Sequence, residues 1–195
     1  RSPYDDPVYD AGWGFCLPSV EFYDMFDDGD ARRDVTFHDL REEQDRYSQG
    51  RDDTGLFNKK YIPRKEPARA GSDPLNYNNN YRAIRYADVL LMAAEAEAQS
   101  GGTDAENYLN QVRARAYGDN SQNYTASEGA LLDAIYTERR KELAGEGHRF
   151  FDLVRTKKAA AAIDGFTENK NEIFPIPLIE LELALATERW GQNPG

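Results

Sequence analysis

From Tyr81 onward, apolar residues recur three and four positions apart, and two consecutive glycines, Gly101 and Gly102, cut that pattern in two. This spacing places apolar side chains on one face of a helix, and a helix with one apolar face must bury it against a neighbour. Tyr81 to Ser100 is therefore predicted helical, and beyond the glycines Ala105, Tyr108, Leu109, Val112 and Ala116 form a second stripe. Thr103 to Glu106 has the spacing of a capping box. Two helices joined by so tight a turn fold back as an antiparallel hairpin. A second capping box, Thr125 to Glu128, opens a helix through Leu131, Leu132, Ile135 and Leu143. Gly145 and Gly147 interrupt it, and Phe150, Phe151 and Val154 resume a helical pattern to about Ala162. The prolines in Ile173-Phe174-Pro175-Ile176-Pro177 force extended backbone. A short helix from Leu178 to Ala186 follows.

The first eighty residues read differently, being rich in turn formers and in Tyr, Asp and Asn. Pro18 to Phe26 suits a short helix with Pro18 in its first turn, ended by Asp27-Asp28-Gly29. Leu56 to Ile62, between Gly55 and Pro63, reads as a strand. Arg64 to Asn80, with two prolines, one glycine and four asparagines, reads as a long surface loop. The expected fold class is mostly α, with tetratricopeptide-like helix hairpins, a loop-rich region and a few short strands. Residues 1–195 read as one domain, loop-rich over 1–80 and helical over 81–195.

Charge and composition narrow the function. With 24 Lys and Arg against 35 Asp and Glu the formal charge is −11, which speaks against a nucleic-acid partner, since phosphate neutralisation needs a basic face. An acidic surface also disfavours anionic polymers, unless the local basic patch of Arg64, Lys65 and Arg69 reverses the balance. No run of about 18 uncharged apolar residues could span a bilayer. The opening Arg1-Ser2-Pro3 reads as the middle of a longer chain or a trimmed product. Cys16 is the sole cysteine, which leaves no intrachain disulfide or cysteine-based zinc site, and it is expected to be buried.

Several longer patterns match a known family. Tyr81-Arg82-Ala83-Ile84-Arg85-Tyr86-Ala87-Asp88-Val89-Leu90-Leu91-Met92-Ala93-Ala94-Glu95-Ala96 resembles the hallmark helix of the SusD/RagB family of outer-membrane nutrient-binding lipoproteins. The resemblance continues through Asn110 to Arg115, Glu138 to Arg155, Phe174-Pro175-Ile176-Pro177 and Gln192-Asn193-Pro194-Gly195. Leu17 to Tyr23 and Asp30-Ala31-Arg32-Arg33 extend it toward the start, and the chain resembles the C-terminal half of a family member. The resemblance implies a non-catalytic surface protein that captures glycans, or in some members peptides. It implies delivery to a SusC-like TonB-dependent transporter, on the outer surface of the outer membrane. The lipid anchor it implies at the N-terminus is not in this sequence. No cofactor and no metal are expected.

Sugar recognition needs flat aromatic faces for pyranose rings and planar polar groups for paired hydroxyls. Trp13, Tyr4, Tyr9, Tyr47, Tyr61 and Tyr77 supply the first, and Asn76, Asn78, Asn79 and Arg64 the second. Trp13 leads, because Gly12 and Gly14 beside it let its ring project, whereas Trp190 reads as packing. Glu138, Arg139, Glu142, Glu146, Arg149, Asp152 and Arg155 form the densest charge cluster, spaced to share a helix face. Arginines so close hold carboxylates ionised, so the cluster reads as structural, as do Arg85 and Asp88. The acidic group Asp24, Asp27, Asp28, Asp30 and Asp34 lacks the spacing of a calcium loop and contains Arg32 and Arg33. His38 and His148 have no nucleophile at motif spacing. The alternatives to glycan capture are a peptide-binding member, a helical interaction scaffold and, last, a glycoside hydrolase.

Overall fold

The helical half is built first by its punctuation. In the computed structural model, which describes residues 7–9, 14, 16–42, 47, 49–50, 53–66, 79–183 and 192–193, the chain forms two compact units, residues 1–146 and 147–195. The described residues are mostly helical.

In the first unit, a short helix α1 (Val20–Tyr23) is capped by Ser19, whose hydroxyl accepts the Phe22 N–H at 3.2 Å. Pro18 thus lies ahead of the cap and not in the first turn. A second short helix, α2 (Arg32–Thr36), follows and was not anticipated from the sequence. It runs directly into strand β1 (Phe37–Asp39), which pairs antiparallel with β2 (Leu56–Asn58), Phe37 opposite Asn58 and Asp39 opposite Leu56. The strand predicted to reach Ile62 stops at Asn58 because its side-chain oxygen accepts the Lys60 N–H, turning the backbone away from the ladder. Phe37 is buried among the rings of Phe22, Phe26 and Tyr23, all edge-on at 5.1–5.6 Å. Cys16, expected to be buried, is exposed, since it precedes α1 and joins no packed element.

Helix α3 (Tyr86–Ser100) ends at Gly101 with φ +75°, a conformation that costs glycine little. Helix α4 (Ala105–Tyr117) then packs back along it. The box predicted at Thr103 does not form, because the cap position falls at Asp104; Glu106 is then one place too early to close it. The Thr125–Glu128 box does form with both of its hydrogen bonds, but it closes only a 3₁₀ turn, Ala126–Glu128. Helix α5 (Leu131–Glu142) starts separately. Leu90, Leu91, Ala94, Leu109, Val112, Ala134 and Ile135 meet between α3, α4 and α5 as the apolar core. After α5 the chain turns at Gly145, at φ +71°, where a Cβ would collide with the Asn58 side chain. Asn58 instead donates to the Gly145 carbonyl at 3.3 Å, tying β2 to the end of α5.

The second unit holds α6 (Arg149–Arg155), α7 (Ala159–Ala162) and α8 (Leu178–Leu183). The helical pattern predicted to about Ala162 is interrupted at Lys157, whose φ of +58° is left-handed. Phe174 to Pro177 are non-helical, as their prolines require. Gln192 bonds both the N–H and the carbonyl of Ile176, at 2.7 and 2.8 Å, and Asn193 donates to the Phe174 carbonyl at 2.8 Å. The two C-terminal sequence patterns therefore hold each other.

Candidate functional site

The turn that ends β2 places one of the predicted aromatics. Tyr61 follows Lys60, and Asn79 donates to the Tyr61 carbonyl at 3.3 Å. That bond brings in Tyr81, whose ring lies 6.3 Å from Tyr61 at a shallow 31° and is 69% exposed. The pair offers an aromatic face of the kind a pyranose ring covers. Tyr9 pairs through its backbone with Arg64, and the Lys65 N–H donates to the Val8 carbonyl at 2.9 Å. The Tyr9 ring meets His38 edge-on at 5.2 Å, with the Lys59 ammonium 6.0 Å from its centre. Tyr47 instead stands edge-on to Phe57 of β2 at 5.8 Å, and burial, with the Asp53 carboxylate beside it, pushes its hydroxyl well above the usual range. Tyr4, Trp13, Tyr77 and Asn78, with Asn76, Arg69 and Trp190, lie outside the described residues.

Tyr61 also lines an open cavity of about 210 Å³. Arg32, Val35 and Thr36 of α2 form one wall, Lys60 and Tyr61 another, and Arg82, Arg85, Arg115, Glu142 and Glu146 the rest. Beneath it runs an ion-pair network. Glu142 receives Arg115 at 2.6 Å, Arg85 at 2.8 Å and Arg32 at 3.2 Å. Glu146 receives Lys60 and Arg85, both at 2.7 Å, and Lys60 also donates to the Glu142 carbonyl at 2.7 Å. Deeper, Asp30 accepts from Arg32 and Lys141 at 2.7 and 2.8 Å, and Glu138 pairs with Arg32 and Arg113. The predicted charge cluster is thus structural: Asp152 and Arg155 pair on one face of α6 at 2.7 Å, whereas Glu138, Arg139, Glu142 and Glu146 take partners from other elements. Arg139 of α5 follows the rule, reaching Asp88 of α3 at 2.9 Å with both groups buried. Of the acidic group near α1, Asp28 pairs with Arg33 and Asp27 accepts from the Tyr117 hydroxyl.

The electrostatics follow from these contacts. Burial alone would raise the Asp30 carboxyl, but the bonds from Arg32 and Lys141 outweigh it and hold it at about 2. Burial likewise opposes ionisation of Glu142, and Arg115, Arg85 and Arg32 reverse that, so its carboxyl lies below the ordinary value. Glu146 is lowered in the same way by Arg85 and Lys60. Burial pushes the Lys60 ammonium down against the pull of Glu146 and Glu142. A glycosidase acid needs a carboxyl raised toward neutrality. Glu142 and Glu146 are held the other way, and suit binding or scaffolding.

Sequence reasoning missed Tyr81, Lys60, Arg82 and Arg115 as parts of one site. Tyr81 and Arg82 look like the first turn of a helix, and only the extended backbone at Arg85 frees them for it. Nothing local marks Lys60 or Arg115.

Comparisons with known proteins bear on this arrangement. The model of the SusD family matches residues 39–175. SusD-like protein P2 of Formosa agariphila is 33% identical over 96% of this chain, which spans 41% of that protein's length. Surface glycan-binding protein A from Bacteroides fluxus superposes with a TM-score of 0.83 at 38% identity, covering all of this chain and 44% of that one. Surface glycan-binding protein A from Bacteroides thetaiotaomicron in complex with laminarihexaose superposes at 0.81 with 34% identity, over all of this chain and 45% of that one.

Proposed function

The chain belongs to the SusD family, and on that premise we propose that it is part of a cell-surface protein that captures glycans for uptake without cleaving them. The observation that carries this reading is the likeness, over the whole of this chain, to surface glycan-binding proteins, one of them in complex with laminarihexaose. The chain spans less than half of those proteins, so the ligand face it contributes is part of a larger one. Tyr61 and Tyr81 are its stacking surface, with Tyr9, Arg64 and Asn79 close by in sequence or through the contacts above. Stacking gives modest affinity per sugar, and several subsites along a polymer add up by avidity. Capture needs a recipient, and we assign that role to a TonB-dependent transporter in the outer membrane, with the whole protein anchored beside it by lipid. The ionised Glu142 and Glu146 support binding without hydrolysis.

Affinity electrophoresis of the chain against a panel of polysaccharides, with laminarihexaose titrated by calorimetry, tests the reading. Retardation without shortened products is expected, weakened in Tyr61→Ala, Tyr81→Ala and Trp13→Ala variants that keep the wild-type circular dichroism. Release of shorter oligosaccharides would overturn it in favour of a hydrolase.

A further inference from the structure

The cavity beside Tyr61 carries a sign opposite to that of the chain. Arg32, Lys60, Arg82, Arg85 and Arg115 line it against two carboxylates, Glu142 and Glu146, while the formal charge of the whole chain is −11. Three of these cations are committed. Arg32 is divided among Asp30, Glu138 and Glu142, Arg85 between Glu142 and Glu146, and Lys60 is held by Glu146 and the Glu142 carbonyl. Both carboxylates are in turn saturated by them, so neither attracts a further cation. Two guanidiniums remain with donors to spare. Arg115 touches Glu142 through one nitrogen and its side chain is 58% exposed. Arg82 is exposed and makes no ion pair or hydrogen bond among the described residues. Thr36 lines the same cavity, and its buried hydroxyl has no partner among the described residues.

A guanidinium presents paired N–H donors that match the oxygens of a carboxylate or sulfate, and such charge-assisted bonds are stronger than those to neutral hydroxyls. The volume, about 210 Å³, lies below the roughly 300–1,000 Å³ of a drug-sized pocket, which suits one charged substituent with its ring and not a stretch of polymer. Tyr61 lines the same cavity, so a sugar stacked on its ring would present its acid group to the guanidiniums in a single pose.

We propose that this cavity is a subsite for the anionic substituent of an acidic glycan, a carboxylate or sulfate held by Arg82 and Arg115 with the ring against Tyr61. This rests on the glycan-capture reading above and adds the class of glycan. The cations of this subsite come from the segment before α3 and from α4, a different place in the sequence from the basic patch anticipated at Arg64, Lys65 and Arg69.

The test titrates the chain with three oligosaccharides of matched length: laminarihexaose, a galacturonate hexamer and a sulfated galactan hexamer. At low salt, one or both acidic hexamers bind at least tenfold more tightly than laminarihexaose, and raising the salt removes the difference. Galacturonate and sulfated galactan as separate arms tell carboxylate from sulfate. Arg82→Gln costs about tenfold toward the preferred acid and far less toward laminarihexaose, so the preference for the acid is lost. Arg82 is exposed and unbonded, so this variant keeps the wild-type melting temperature; Arg115→Gln is the second reading of the same site. Equal binding of neutral and acidic hexamers, or acidic binding indifferent to Arg82→Gln and Arg115→Gln, overturns the subsite while capture stands. Binding of none of the three overturns both.

Discussion

Where α3, α4 and α5 meet, the buried side chains are Leu90, Leu91, Leu109, Val112 and Ile135; where residues 30–60 meet α5, they are Asp30, Arg32, Glu138 and Glu142. Both contacts are buried, yet they do different work. Apolar packing depends on area and tolerates small shifts. Each ion pair fixes a distance and an angle, and each buried charge is costly unless its partner is in place. The helices share an apolar core to which the Asp88–Arg139 and Arg113–Glu138 pairs add, and the ion pairs of Asp30, Arg32 and Lys60 position the loop-rich segment on α5. A polar junction also leaves donors over at its edge, which is where the cavity lies.

Removing the centre of the polar junction should have the largest effect. Glu142→Ala leaves Arg32, Arg85 and Arg115 short of a partner and is expected to cost roughly 3–5 kcal/mol in urea unfolding. Glu142→Gln, which keeps an acceptor, should cost less; an equal or smaller loss for alanine would mean that the network is not what holds the junction. In the apolar core, Leu91→Ala, at a fully buried position, is expected to cost about 3 kcal/mol, because the vacated space stays unfilled.

Acid should separate the two regions further. Asp30, Glu142 and Glu146 all have folded-state values below their ordinary ones. A lowered carboxyl contributes stability above its unfolded value and loses it as pH falls through the folded one. Stability should therefore be level above about pH 5 and fall progressively toward pH 2, the region of the Asp30 value. The slope should flatten in Glu142→Gln and stay unchanged in Leu91→Ala; identical slopes in all three proteins would contradict the assignment. Smallest of all is Asp28→Asn, which removes the surface pair with Arg33, where the aspartate is 98% exposed. Less than about 0.5 kcal/mol is expected, and a larger loss would show that exposed pairs share in the junction.

The helical hairpin was legible because its signals are local. Helical spacing and Gly101 gave α3 and α4, with the end at Ser100 exact. The start of α3 was not legible. Tyr81 to Ile84 continue the periodic pattern, but Arg85 is extended (φ −123°, ψ 155°) while its guanidinium reaches Glu142 and Glu146, 57 and 61 residues away. Propensity is a weak preference, and such a charge-assisted contact outweighs it. The same holds for Asp30 and Arg32, which read as parts of an acidic turn and are instead buried against α5.

What the sequence alone determined is the class of fold, the family pattern and the stop of α3 at its glycine, since each depends on residues within a turn or two of one another. What only the tertiary structure decided is which charges meet, that Tyr61 and Tyr81 come together beside the Asn79–Tyr61 hydrogen bond, and that Arg82 and Arg115 are left with donors at an open cavity. These depend on pairs separated by tens of residues, and a side chain's hydrogen-bonding capacity says nothing about which distant partner will satisfy it.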